Sequence, residues 1–143
     1  MSEGAHDRGG LRILGPDECR ELLERTPVGR VAFVDRDRPA VLPVTYRYHD
    51  GAIVFRTAPG AKLHAALAGS PVAFEIDAWD EPSRTGWSVL VRGDAHHVTD
   101  PGEVAALGRL GLWPWAVEHP RQYWIRIRPT EVSGRLLGWR ERP

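Results

Sequence analysis

The sequence has little cysteine, little lysine and no excess of charge of either sign. Cys19 is the only cysteine and Lys62 the only lysine among 143 residues. A single cysteine excludes an intramolecular disulfide, and its place in a predicted helix favours an inert thiol over a nucleophile. Nineteen basic and nineteen acidic residues give a formal net charge of zero. This balance argues against a general nucleic-acid binder and against a polybasic membrane anchor.

Long apolar runs and nucleotide-binding glycine motifs are also missing. No stretch is long enough to cross a bilayer, and residues 1–10 have no apolar signal core, so we expect a cytoplasmic protein without a membrane partner. No Rossmann or P-loop glycine pattern follows a predicted strand, which excludes those folds. The length predicts one domain over residues 11–143, after a disordered tail over residues 1–10.

Short stretches in which apolar and polar residues alternate dominate the chain. They predict a mainly β fold, a barrel of about seven mostly antiparallel strands with short helices between them. In the longest predicted strand, residues 86–98, Gly93 is expected to mark a bend or a bulge. The last two strands are predicted at residues 123–128 and 131–137, joined at Pro129-Thr130.

The chain is organised around residues 43–67, which combine a predicted hairpin with a cationic loop. Asp50-Gly51 predicts a tight turn between two strands, because such a turn needs residues that tolerate positive φ. The second strand ends in Arg56-Thr57, and Lys62 begins a predicted helix after a small-residue loop. Cationic side chains beside a helix N-terminus can hold a phosphate group.

The order of three motifs resembles the pyridoxamine 5′-phosphate oxidase-like family, the FMN-binding split barrels. The motifs are Phe55-Arg56-Thr57 followed by Lys62-Leu63, the strand segment Val91-Arg92-Gly93, and the closing stretch at residues 124–134. The resemblance implies a split β-barrel that holds FMN at a homodimer interface and transfers electrons or hydride to or from a small molecule. After Gly134 the family's arginine-containing substrate segment is missing. The substrate therefore stays open.

The resemblance also implies which residues contact the cofactor, although it names no catalytic residue. Lys62 is the first candidate to bind the phosphate of the flavin. The resemblance places Arg56 and Thr57 next, either at that phosphate or at the edge of the flavin ring. The long strand brings its opening residues to the cofactor, often from the partner subunit. The cofactor-binding set implied in this way is Val44, Thr45, Tyr46, Arg56, Thr57, Lys62, Trp87 and Ser88.

Two alternatives to an FMN enzyme stay open on the sequence. Related split barrels bind a deazaflavin cofactor or haem, and a haem would need an axial ligand from His64, His96, His97 or His119. The second alternative is a non-catalytic flavin-binding module, because no general acid or base stands out. No metal site is predicted, since adjacent strand residues such as His96 and His97 point to opposite faces.

Two further features are interpreted from the pattern alone. Trp113-Pro114-Trp115 is expected to form a rigid aromatic wall of a substrate pocket or a dimer contact. Glu75 and Asp77 share one face of a predicted strand, and a sheet edge that faces water is the simpler explanation for this pair.

Overall fold

The computed structural model describes residues 4–57, 69–113 and 123–138. In this part of the chain, the strands form one curled antiparallel sheet. The strands are β1 (Ile13–Leu14), β2 (Val28–Asp35), β3 (Arg38–Thr45), β4 (Arg47–His49), β5 (Ala52–Thr57), β6 (Pro71–Asp80), β7 (Thr85–Val98) and β8 (Tyr123–Leu137). The main path runs β3-β2-β6-β7-β8-β5-β4, and β1 pairs with β8. The predicted mainly β, antiparallel barrel class is confirmed.

Among the described residues, two helices lie outside this sheet. Helix α1 (Pro16–Arg25) begins with proline in its first turn, and the Glu18 carboxylate accepts a hydrogen bond of 3.2 Å from the Gly15 backbone N–H. Helix α2 (Pro101–Gly108) begins after Asp100, whose carboxylate caps the Glu103 N–H at 2.9 Å. Acidic groups at both N-termini satisfy free backbone donors and complement the helix dipole. Neither described helix has the length and apolar character that a bilayer crossing requires.

The predicted hairpin forms where the sequence indicated. β4 and β5 pair across a turn in which Asp50 and Gly51 have φ of 49° and 71°. This left-handed backbone is why the turn needs residues that accept positive φ. The strand before the turn differs from the prediction, because it is interrupted at Tyr46. Only β4 pairs with β5, whereas β3 ends at Thr45 and pairs with β2. The helix predicted at residues 61–67 lies outside the described residues.

The last strand also differs from the prediction. Residues 123–137 form one continuous strand and not two strands joined at Pro129-Thr130. The register against β7 shifts between Arg92 and Gly93, so Arg92 faces Glu131 while Gly93 faces Pro129. Thr130 is the extra residue of a β-bulge in β8. This bulge accommodates Pro129 without ending the strand. The bulge predicted at Gly93 is present.

Two buried clusters share strand β5. Ile53 and Phe55 belong to the main core inside the curled sheet. Val54 points to the opposite side and packs in a second cluster with Val98, Leu107, Leu112 and Trp124. β5 is therefore buried on both faces. In the second cluster, Leu112, which follows α2, packs against Val54, Val98 and Trp124 of the strands.

Residues 4–10, predicted as part of a disordered tail, form a turn that contacts the sheet. The Asp7 carboxylate accepts hydrogen bonds from the backbone N–H groups of Gly9 and Leu11 at 2.8 and 3.0 Å. It also pairs with Arg135 of β8 at 3.1 Å. These donors hold the pKa of Asp7 below its ordinary range, with the Leu11 N–H as the largest cause.

Candidate cofactor site

Arg56 lies at the end of β5, on the side of the second buried cluster. Its guanidinium Nη1 donates a hydrogen bond of 3.3 Å to the Leu112 carbonyl, and its Cζ lies 5.1 Å from the centroid of the Trp124 ring. Its Nε is buried and has no hydrogen-bond partner among the described residues. The Trp124 ring and the Leu112 carbonyl thus orient the guanidinium of Arg56, whose other N–H groups can donate hydrogen bonds to a ligand.

Thr45 and Arg56 contact the same short backbone segment. The Thr45 hydroxyl donates to the Trp113 carbonyl, one residue after the carbonyl that accepts from Arg56. The Trp113 indole itself is 83% exposed. The ends of β3 and β5 are therefore joined through the backbone of residues 112–113. Pro114 and Trp115 of the predicted aromatic wall lie outside the described residues.

The side chains of Val44 and Tyr46 are part of the main core. Val44 is 4% exposed and Tyr46 is 1% exposed. The Tyr46 hydroxyl donates 2.8 Å to the Leu23 carbonyl of α1, and its ring meets Phe74 edge-on at 4.7 Å. Burial raises the pKa of Tyr46. These side chains hold the barrel and the helix together, so a ligand can meet this strand only through its backbone or through Thr45.

Thr57 and Lys62 complete the cationic strand end that the sequence predicts. Thr57 is buried and follows Arg56 directly, with its side chain on the same face of β5 as Phe55. Lys62, the predicted phosphate ligand, lies outside the described residues, as does His64. The structure therefore places Arg56 and Thr57 at the end of β5, and Thr45, at the end of β3, is joined to Arg56 through residues 112–113.

Trp87 and Ser88 lie at the opposite end of the sheet. On β8, Arg56 pairs with Trp124 whereas Trp87 pairs with Leu136. At about 3.3 Å per residue, these twelve positions correspond to roughly 40 Å along the strand. Trp87 and Leu136 line a pocket of about 370 Å³ there. Along β8, Trp87 and Arg56 are thus twelve residue positions apart.

The paired carboxylates lie in the middle of the sheet and not at its edge. Glu75 and Asp77 share the outer face of β6, and Arg30 of β2 approaches them at 3.6 and 3.0 Å. Glu75 Oε1 is buried without a hydrogen-bond partner among the described residues. Burial, together with Asp77, raises the pKa of Glu75 from 4.5 to about 7. The interpretation as a water-facing edge is wrong, because β2 and β7 flank β6.

This raised pKa predicts a pH-dependent stability. Between pH 4.5 and about 7, folded Glu75 holds a proton that the unfolded chain has released. The free energy of unfolding should therefore fall as pH rises through this interval, and Glu75→Gln should flatten that fall. Denaturant titrations at about pH 5 and about pH 8 measure the difference. Glu131→Gln, at an exposed position of β8, is the control, and an equal slope in both variants would contradict the assignment.

Sequence reasoning missed three parts of the cation site. Trp124 was predicted only as a strand residue, yet its ring lies under Arg56. The carbonyls of Leu112 and Trp113, which accept hydrogen bonds from Arg56 and Thr45, belong to an irregular segment. No local sequence signal identifies a backbone carbonyl as a partner, because the contact depends on how distant segments pack.

The curled antiparallel sheet with a cationic strand end defines the class of the protein as a split β-barrel. The family described as pyridoxamine 5′-phosphate oxidase matches residues 15–136. The chain therefore belongs to the pyridoxamine 5′-phosphate oxidase-like family, as its motifs indicated.

Known proteins share both the sequence and the fold. Uncharacterized protein Rv0080 of Mycobacterium tuberculosis is 40% identical over 126 residues, which cover 85% of this chain and 82% of that protein. The structure of the FAD binding protein from Mycobacterium smegmatis has a TM-score of 0.79 at 34% identity, covering 90% of this chain and 99% of that one. A FAD-binding protein from Mesorhizobium loti has a TM-score of 0.71 at 26% identity, with coverage of 90% and 99%.

Proposed function

We propose that this protein binds a flavin nucleotide between two copies of the chain and uses it as an oxidoreductase acting on a small molecule. The observation that carries the proposal is the geometry of Arg56. Its guanidinium is held at a strand end by the Leu112 carbonyl and the Trp124 ring, with Nε unsatisfied among the described residues. A fixed cation with free donors is suited to a phosphate or to the electron-rich edge of a flavin.

The neighbouring residues fit the other needs of a flavin. The ring system requires a flat apolar surface, and the exposed indole of Trp113, whose backbone carbonyl accepts from Thr45, offers one. Lys62 adds a second cation close by in the sequence, whereas the buried Thr57 side chain lies on the opposite face of β5 from Arg56. Bound flavin supplies hydride or electron transfer. The protein residues bind it, orient it and exclude water from it.

The separation of the predicted contacts supports a site shared between two copies. Trp87 and Ser88 lie roughly 40 Å along β8 from the partner position of Arg56. A flavin that lay along β8 would not span that length. A second copy that places its Trp87 end beside Arg56 would complete the set, which is the arrangement the resemblance implies.

Two common forms of flavin, FMN and FAD, share the part of the molecule that the proposal covers. FMN follows from the family resemblance, whereas the similar proteins from Mycobacterium smegmatis and Mesorhizobium loti are described as FAD-binding. FAD contains the FMN part and adds an adenylate. Contacts of Arg56 with the ring edge or the flavin-side phosphate are therefore available to both.

Spectroscopic titration of the purified protein tests the proposal. We expect saturable changes in flavin absorbance and fluorescence when FMN or FAD is added, and a dimer by light scattering. Oxidation of a reduced nicotinamide by the flavin-loaded protein would separate an enzyme from a non-catalytic module. A monomer that binds neither flavin would overturn the proposal, and the same titration with a deazaflavin cofactor or haem would then decide between the alternatives.

A further inference from the structure

The outer face of β2 and β3 is largely apolar. Val31 and Phe33 of β2 point into the barrel and are buried, so the residues that alternate with them point outward. On this outer side Val34 and Val41 are 63% and 59% exposed. The β2–β3 register makes six such apolar side chains neighbours, and we call them the outer patch: Val28, Ala32, Val34, Pro39, Val41 and Pro43.

The sequence of these two strands is that of strands covered on both faces. An antiparallel strand with one face in water alternates apolar and polar residues. In contrast, residues 39–44 of β3 are all apolar, and Arg30 is the one charged residue between Val28 and Val34 of β2. Scattered exposed apolar residues are ordinary, but a contiguous group of them marks an interaction surface.

Pro39 and Pro43 restrict how a partner can approach this surface. β3 is the last strand at one end of the strand order. Proline has no backbone N–H, so a strand added beside β3 would lack two donors. A sheet stacked on the outer face contacts side chains and needs no such donors. The prolines therefore favour a partner that packs on the face over one that extends the sheet.

The charges around the outer patch favour a second copy of this chain over a partner of one charge sign. The turn at residues 35–38, beyond Val34, has two acidic and two basic residues. On the β6 side, Arg30 lies 3.6 and 3.0 Å from Glu75 and Asp77. Glu75 Oε1 is buried without a partner in the described ranges, so a donor from outside them would satisfy it. A border with both signs suits two-fold packing, in which one surface supplies both partners.

The outer patch also adjoins the candidate cofactor site. Thr45 pairs with Val28, so the two side chains share the outer face. The Thr45 hydroxyl donates to the Trp113 carbonyl, one residue after the carbonyl that accepts from Arg56. The patch is therefore continuous with the strand ends at which the proposed function requires a second copy.

We propose that the outer patch is the surface on which two copies of this chain pack face to face. The inference rests on the proposed function for the presence of a second copy, and it goes further by assigning the surface to β2 and β3. Removal of the valine and proline side chains from water drives the association. The charged groups at the border set its register.

A charge placed on the outer patch tests the inference. Val34→Glu and Val41→Glu each change an exposed side chain, so neither removes a core contact. We expect a wild-type dimer in sedimentation equilibrium, and a dimer dissociation constant at least about 100-fold higher in each variant, because two carboxylates would be desolvated at the contact. Val132→Glu, at a 39% exposed position of β8, is the matched control and should keep the wild-type constant.

The outcomes separate this inference from the proposed function. Glutamate variants that stay dimeric overturn the assigned surface and leave the shared flavin site intact, and a lower stability without a change of dimerisation would show that another part of the same chain covers the patch. Folded monomeric variants support the surface, and flavin affinity equal to that of the wild type would then contradict the shared site alone. A wild-type monomer in the presence of FMN and FAD overturns the inference.

A milder substitution covers the case in which a glutamate variant does not fold. Val41→Ser removes apolar area from the outer patch without adding a charge. We expect its dimer dissociation constant to rise by about tenfold, from the loss of apolar surface that would be buried against the second copy. A dissociation constant equal to that of the wild type would overturn the inference.

Discussion

Replacing Gly93 with alanine is expected to lower the free energy of unfolding by about 3 kcal/mol. An added Cβ would lie 2.2 Å from the Arg128 carbonyl oxygen and 2.9 Å from its carbonyl carbon. Both atoms are backbone atoms of β8, so no side-chain rotation relieves the overlap. The sheet would have to open at the bulge where Arg92 and Gly93 change register against β8.

Thermal and denaturant unfolding of Gly93→Ala and Gly108→Ala measures this effect. Gly108 ends α2, and an added Cβ there meets nothing within 4 Å. The control substitution should therefore change stability by less than about 1 kcal/mol, in the stabilising direction. Similar stabilities for the two variants would mean that the bulge tolerates a side chain, and that the close approach of β7 and β8 is relaxed in solution.

Replacing Arg56 with alanine is expected to weaken flavin binding by about 2–3 kcal/mol, or roughly 30- to 150-fold. The substitution removes the cation that Leu112 and Trp124 orient, together with an Nε donor that has no partner in the described part of the chain. Arg56→Lys keeps the charge and loses the planar fork, so an intermediate affinity is expected. Titration of the flavin fluorescence at fixed salt measures all three proteins.

Two controls keep this prediction specific. Arg109→Ala removes an exposed cation just after α2 and should leave the flavin affinity unchanged. Tyr46→Phe removes the hydrogen bond to Leu23 and should lower stability without changing the affinity, because the hydroxyl is buried in the core. Unchanged affinity in a folded, dimeric Arg56→Ala protein would move the phosphate assignment to Lys62, and Lys62→Ala in the same titration would then test that position.

The two ends of the sheet carry different parts of the proposed site. Arg56 and Thr45 contact the backbone of residues 112–113, while Trp87 lies near the start of β7 and lines a pocket there. We expect Arg56 variants to affect FMN and FAD alike, because both flavins contain the part that Arg56 would contact.

Local sequence alone determined the elements that depend on neighbouring residues. The positive φ at Asp50-Gly51 follows from what a two-residue turn demands of its backbone. Proline in the first turn and acidic residues near the N-terminus are local signals that favour both described helices. The bulge at Gly93 was also predictable, because a glycine inside a long strand signals a close backbone approach.

Only the tertiary structure decided where the side chains of this family's cofactor hairpin go. Alternation predicted that Val44 and Tyr46 share a face, but the pairing of β3 with β2 buries that face under α1. Burial in the assembled sheet is the largest cause of the raised pKa of Glu75, followed by Asp77 on the same strand, whereas Arg30 of β2 lowers it. Arg56 is oriented by a carbonyl 56 residues away. Such contacts depend on long-range strand pairing, which the local pattern of residues does not encode.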